Sequence, residues 1–184
     1  FADGEEALGV QDHVILAVPA SMAAELVPGL VVPQRHSAIL NAHFKVTPPK
    51  GMPTFIGVIG GLTEWIFAFE DRLSVTISAA DRLMEEPREA LARRIWAEVS
   101  RVAALDRTLP VWQIVKEKRA TFAATPEENA RRPDATTRLA NLVLAGDWTA
   151  TGLPATIEGA IRSGHKAAAL SARPDRRLLQ WLRP

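Results

Sequence analysis

The chain has 184 residues, 47% hydrophobic and 23% charged, with a formal net charge of +1, enough for one large or two small domains. That balance gives no electrostatic reason to bind nucleic acid. The absence of cysteine excludes disulfides, thiol catalysis and cysteine-ligated zinc and suits a reducing, cytoplasmic setting, while no apolar run approaches the roughly 18 residues of a membrane span and no secretory leader is legible.

In chain order, Val14–Val18 (VILAV), closed by Pro19, is a short continuous apolar run that reads as a buried parallel strand. Ser21–Val27 follows as a short helix, stopped by Pro28-Gly29. Ser37–Val46 then alternates, with Ala38, Leu40, Ala42, Phe44 and Val46 on one face, as in a half-exposed strand. Phe55–Ile59, Glu64–Phe69 and Leu73–Ser78 continue at hairpin spacing, which predicts an antiparallel meander of four strands.

Glu85-Glu86-Pro87 opens a helix with Leu91, Ile95, Val99 and Val102 as its apolar stripe. Val111–Val115 reads as a strand, and Thr125–Arg138 as a polar surface loop with one helical turn. Asn141–Ala145 (NLVLA) is a second buried parallel-type strand. Pro154–Ser171 is the last long helix, and Arg176–Leu182 a short terminal one. Continuous apolar runs at both ends and alternation between them predict an α/β plus α+β fold, in which one domain interrupts another.

The strand Asn141–Ala145 delivers Gly146-Asp147 to the carboxyl end of a parallel sheet, where open α/β folds bind ligands. Asp147 is an acceptor for sugar-type hydroxyls. Pro154 suits a first helical position, and free N–H groups near Thr156 and Ile157 favour an electron-rich or anionic group. Ala155, Gly159, Ala160, Gly164, Ala167 and Ala168 permit close packing. A plain cap and packing helix fits these residues as well. Glu158 and Arg162 stand at i,i+4 and suit an ion pair.

The stretch AGDWTATGLPATIEGAIRSGHKAA (Ala145–Ala168) resembles the C-terminal flavin-binding signature of the amine oxidase and phytoene desaturase superfamily. Its nearest form is that of the squalene-associated FAD-dependent desaturases, also called hydroxysqualene dehydroxylases. DHVILAVPA and WIFAFEDRLSVTISAA are similar to that family too. The resemblance implies the C-terminal part of an FAD-binding Rossmann-like domain (1–30 and 108–174), an inserted antiparallel-sheet substrate domain (31–107) and a tail (175–184).

It further implies an FAD-dependent oxidoreductase acting on a polyisoprenoid, most simply by dehydroxylating hydroxysqualene in squalene or hopanoid synthesis. The alternatives are a carotenoid desaturase, an amine oxidase, or a non-catalytic fragment that folds and self-associates. Gly146 and Asp147 would hold the ribityl and phosphate part of FAD, with Pro154, Thr156 and Ile157 at the flavin edge. A helix N-terminus is worth about 0.3–1 kcal/mol to a nearby anion. At 30 mV per 1.4 kcal/mol for a two-electron couple, that raises the potential by only about 6–20 mV. No catalytic acid or base stands out.

Trp65, Phe67 and Phe69 serve either as core or as the lining of an apolar substrate cavity, and Trp148 packs, shields the flavin or joins that substrate lining. His13, His36, His43 and His165 form no metal-ligand pair at helical spacing, so no metal is expected. Ser21 and Ser163 lack a G-x-S-x-G setting. DRRLLQWLRP (Asp175–Pro184) suits either a docked terminal helix or peripheral membrane contact. The family's Gly-rich ADP-binding turn is missing, since GVIGG (Gly57–Gly61) has the wrong spacing. The chain is therefore expected to be a portion of a longer flavoprotein that binds FAD weakly alone and covers its open sheet by forming a homo-oligomer.

Overall fold

The computed structural model describes residues 4, 7–9 and 12–172. The expected helix at Arg176–Leu182 and the tail lie outside them. The chain divides into two units, one made of residues up to Arg35 and from Phe122, the other of His36–Thr121. The sequence predicts these divisions at 30/31 and 107/108.

In the first unit, β1 (Val14–Leu16) pairs in parallel with β7 (Leu142–Leu144), so the two apolar runs meet in one two-stranded sheet. They are shorter and less buried than expected, with Ile15 43% exposed. Two strands cover little of each other's faces, and among the described residues nothing pairs with the outer edge of β1. Between the two strands come α1 (Ala20–Leu26) and the five-residue α3 (Pro126–Ala130), and α4 (Ile157–Ser171) follows β7. Thr125 caps α3 by accepting from the Glu128 N–H. The buried carboxylate of Glu128 accepts from the Gln34 N–H at 2.7 Å, which holds it below the usual carboxylate range.

The second unit is a five-stranded sheet backed by α2 (Arg88–Val102). Its strands are β2 (His36–Phe44), β3 (Phe55–Gly57), β4 (Trp65–Ala68), β5 (Leu73–Ile77) and β6 (Trp112–Phe122), in the order β3-β4-β5-β2-β6. This corrects the four-strand meander: only β3, β4 and β5 meander, and β2 lies beside β5. Pro48, Pro49 and Pro53 stand between β2 and β3, where fixed φ and missing donors prevent a tight hairpin. β6 also runs past Val115 to Phe122. Its charged residues Lys116–Arg119 suit an edge strand, and Lys116 Nζ donates to the carbonyls of Met84 and Glu86 at 2.7 and 2.6 Å.

The alternation in β2 works as expected: Ala38, Leu40, Ala42 and Phe44 all point into the core. Leu91, Ile95 and Val99 of α2 meet them, each fully buried and worth about 1.5–3 kcal/mol. Val102, expected on that stripe, is 37% exposed. Trp96 fills the interface instead, its ring 5.1 Å from that of Phe44. Helix α2 ends with Ala104 at φ 52° and the Leu105 N–H on the Ser100 carbonyl at 2.8 Å, a Schellman closure with alanine where glycine is usual.

Candidate functional site

The site predicted from sequence lies in the first unit, where β7 ends. The Ala145 N–H donates to the Leu16 carbonyl at 3.0 Å, extending the β1–β7 ladder to the edge of Gly146. Gly146 sits at φ 146°, and a Cβ there would lie 2.3 Å from Trp148 Nε1. No other residue fits that position. Its N–H donates to Ser163 Oγ on α4 at 2.8 Å, and Ser163 Oγ donates to the Ala160 carbonyl at 2.6 Å.

Trp148 is 4% exposed, and its indole N–H reaches the Val18 carbonyl at 3.0 Å. Its ring packs with Ala20, Ala23, Phe122 and Leu144, which makes Trp148 the pin between the two halves of this unit. Asp147 is half-buried. Its backbone carbonyl accepts from Arg132 Nη2 at 2.9 Å, and the same nitrogen donates to Thr151 Oγ1 at 2.9 Å. Among the described residues, no donor is hydrogen-bonded to the Asp147 carboxylate. Arg132 also lies over the Phe122 ring, 4.9 Å from its centroid. Burial lowers its pKa, opposed by the charge of Asp147.

Helix α4 starts at Ile157, not at Pro154 as the sequence suggested. Thr156 is the N-cap: its Oγ1 accepts from the Gly159 N–H at 3.1 Å and donates to the Pro154 carbonyl at 3.2 Å. Proline therefore shapes the approach to the helix, and the Thr156 hydroxyl begins it. The N–H groups of Ile157 and Glu158, at the first two helical positions, have no acceptor within the helix. The Ile157 side chain is 82% exposed. Of the small residues, Gly159, Ser163 and Ala167 form the buried stripe, and Ala167 packs with Val143 and Ala145. Glu158 and Arg162 pair at 2.6 Å as their spacing implied, at exposed positions worth about 0.3–0.5 kcal/mol.

Arg132 and Ser163 hold the turn without being legible in the sequence. Arg132 stands in a polar loop that resembles any solvated segment. Ser163 lies within α4 and clips the Gly146 backbone.

The aromatic residues expected to line a substrate cavity lie in the second unit. Trp65 is 44% exposed and Phe67 half-buried, on the face of β4 opposite the fully buried Ile66. Phe69 lies past the end of β4, its ring under the Arg72 guanidinium at 4.2 Å. Among the described residues no His, Asp and Glu side chains group to hold a metal ion, and no helix is long and apolar enough to cross a membrane.

The strand β7 thus ends in a glycine-aspartate turn, and a Thr156-capped helix on a small-residue stripe follows it. Residues 59–170 match the family described as flavin containing amine oxidoreductase, and the chain belongs to that family. Among its relatives is a hydroxysqualene dehydroxylase of Rhodopseudomonas palustris, 61% identical over 163 residues, covering 89% of this chain and 39% of the relative. Another, of Sinorhizobium fredii, is 56% identical over 171 residues, covering 93% and 41%. A zeta-carotene desaturase of Synechocystis is 30% identical over 98 residues, covering 52% and 20%. The chain thus spans about two-fifths of the length of the dehydroxylases it matches. The fold is also similar to the crystal structure of a protein described as a protoporphyrinogen oxidase of Exiguobacterium, with a TM-score of 0.61 at 14% identity, covering 86% of this chain and 41% of that one.

Proposed function

We propose that this chain is the C-terminal portion of an FAD-dependent oxidoreductase that dehydroxylates hydroxysqualene in squalene or hopanoid synthesis. The observation that carries the reading is the Gly146–Ile157 segment, in a chain 61% identical to a hydroxysqualene dehydroxylase. Its chemistry fits a flavin. Gly146 allows the tight turn that Trp148 packs against, and the Asp147 carboxylate accepts no hydrogen bond among the described residues. The N–H groups of Ile157 and Glu158 offer donors and the positive end of the α4 dipole to an electron-rich ring edge.

In this reading Asp147 accepts hydrogen bonds from the cofactor's ribityl hydroxyls, and Gly146 holds the turn that presents it. Pro154 and Thr156 set the angle at which α4 begins, and Ile157 presents its N–H to the flavin's pyrimidine edge. Bound there, the flavin supplies hydride chemistry. The first unit is then part of the FAD-binding domain and the second the substrate domain, with Trp65 and Phe67 against the isoprenoid. Alone, the 184-residue chain holds FAD weakly and covers its open β1–β7 sheet by self-association.

The test is anaerobic incubation of the reduced, full-length flavoprotein with hydroxysqualene. Squalene is the expected product. Recovery of unchanged hydroxysqualene, or desaturation of phytoene by the oxidised enzyme, would overturn this reading in favour of a carotenoid desaturase or another oxidase.

A further inference from the structure

The outer face of the five-stranded sheet carries two ordered cross-strand rows. One runs Phe55, Phe67, Ser74, His43 across β3, β4, β5 and β2, and the next runs Gly57, Trp65, Thr76, Asn41. Each row is apolar on β3 and β4 and polar on β5 and β2. The apolar half is built: a Cβ at Gly57 would lie 3.3 Å from the Trp65 ring, and that ring tilts against Phe55 with centroids 6.4 Å apart.

The polar half is built as well. Thr76 Oγ1 donates to Asn41 Oδ1 at 2.8 Å, so these two satisfy each other. His43 Nδ1 lies 2.9 Å from Ser74 Oγ, and Ser74 is only 7% exposed. Among the described residues nothing is hydrogen-bonded to His43 Nε2. The two halves meet where Phe67 stands directly opposite Ser74, and Ser74 opposite His43.

We infer that the His43–Ser74 pair is the docking point for the single hydroxyl of an otherwise apolar isoprenoid whose chain lies over Phe67, Trp65 and Phe55. The inference rests on the dehydroxylase reading and deepens it by naming the residues that tell an isoprenoid alcohol from its hydrocarbon. A ligand with one polar atom needs one polar partner beside a long apolar strip, and each row offers that order. A neutral imidazole carries one donor and one acceptor nitrogen. With Nδ1 engaged by Ser74, Nε2 is left for the substrate oxygen, and Ser74 fixes the ring. Burial, and then the Arg72 charge, hold His43 below its ordinary pKa, which favours the neutral ring.

Equilibrium binding of hydroxysqualene and of squalene to the full-length flavoprotein tests this. The wild type is expected to prefer the alcohol by about tenfold or more, the worth of one hydrogen bond from a desolvated group. His43→Leu should bring the ratio near one without weakening squalene, and Ser74→Ala, which frees the ring but keeps Nε2, should lower it part of the way. Phe67→Ala should weaken both ligands by a similar factor. His43→Phe keeps a planar ring and removes both nitrogens, so it decides the matter if His43→Leu does not fold. If both ligands bind and the His43 variant keeps the preference for the alcohol, the docking point is wrong while the dehydroxylase reading stands. If the wild type binds neither ligand, the dehydroxylase reading falls and takes the docking point with it.

Discussion

Arg132 holds Asp147 by its backbone carbonyl, at 2.9 Å, and not by its carboxylate. With Thr151 Oγ1 as its second acceptor and Phe122 beneath it, the guanidinium fixes the loop and leaves the acidic group open to a ligand. Arg132→Ala should therefore speed FAD loss from the full-length protein, since hydrogen bonds to charged groups are worth about 1.5–3 kcal/mol each. Arg132→Lys should recover little, because an ammonium cannot reproduce the guanidinium's place over the Phe122 ring together with both hydrogen bonds. FAD release after dilution, followed by fluorescence, measures both. A lysine variant that retains FAD like the wild type would reduce Arg132 to a simple charge.

Gly146→Ala should be costly in the chain itself. The backbone lies at φ 146°, and the new Cβ would strike the Trp148 indole at 2.3 Å. Either the backbone rotates or the indole leaves the Val18 carbonyl. We expect a loss of roughly 2–4 kcal/mol from overpacking and backbone strain. Urea unfolding read by tryptophan fluorescence checks this, and a loss below about 1 kcal/mol would mean the turn has room that the geometry does not show.

Ala104→Gly should stabilise the second unit. Ala104 occupies the left-handed position of the α2 Schellman closure, at φ 52°. A Cβ costs about 1 kcal/mol or more there, partly offset by the freedom glycine gains when unfolded. The melting temperature should rise by up to about 2–4 °C per kcal/mol. A fall would show that this turn relaxes in solution.

Glu98 ties stability to acid. It accepts from the Leu62 and Thr63 N–H groups at 3.0 and 2.8 Å and closes the loop before β4. Burial pushes its carboxyl up, but those two N–H groups and the Arg101 charge outweigh it, leaving the group below the usual carboxylate range. A carboxyl lowered on folding adds stability above its unfolded value, which is lost as pH falls through the folded one. The wild type should therefore lose stability below about pH 4.3 more steeply than Glu98→Gln, which starts weaker at neutral pH. Parallel pH curves for the two proteins would remove Glu98 from this role.

What could be read from the sequence was local. The alternation of β2 named its buried face, and two continuous apolar runs named the strands that pair as β1 and β7. Pairing order was not local: nothing within Ser37–Val46 says that Leu73–Ile77 will lie beside it, and the prolines after it forbid the hairpin that adjacency suggested. The length of β6 was hidden because its charged residues serve an edge, where polarity does not oppose strand formation. At the site, Gly146, Asp147 and the helix start were legible as a motif. Arg132 and Ser163 were not, since they act on backbone atoms brought near only by the fold.

The proposed flavin site turns on Asp147, whose carboxylate accepts no hydrogen bond among the described residues. Its test is the FAD dissociation constant of the full-length protein beside that of Asp147→Ala, with unfolding measured on both apoproteins. The carboxylate's lost hydrogen bonds, at about 1.5–3 kcal/mol each, predict affinity weakened by roughly ten- to a hundredfold and apoprotein stability nearly unchanged. Equal FAD affinity in the two proteins would contradict the assignment of this turn to the flavin.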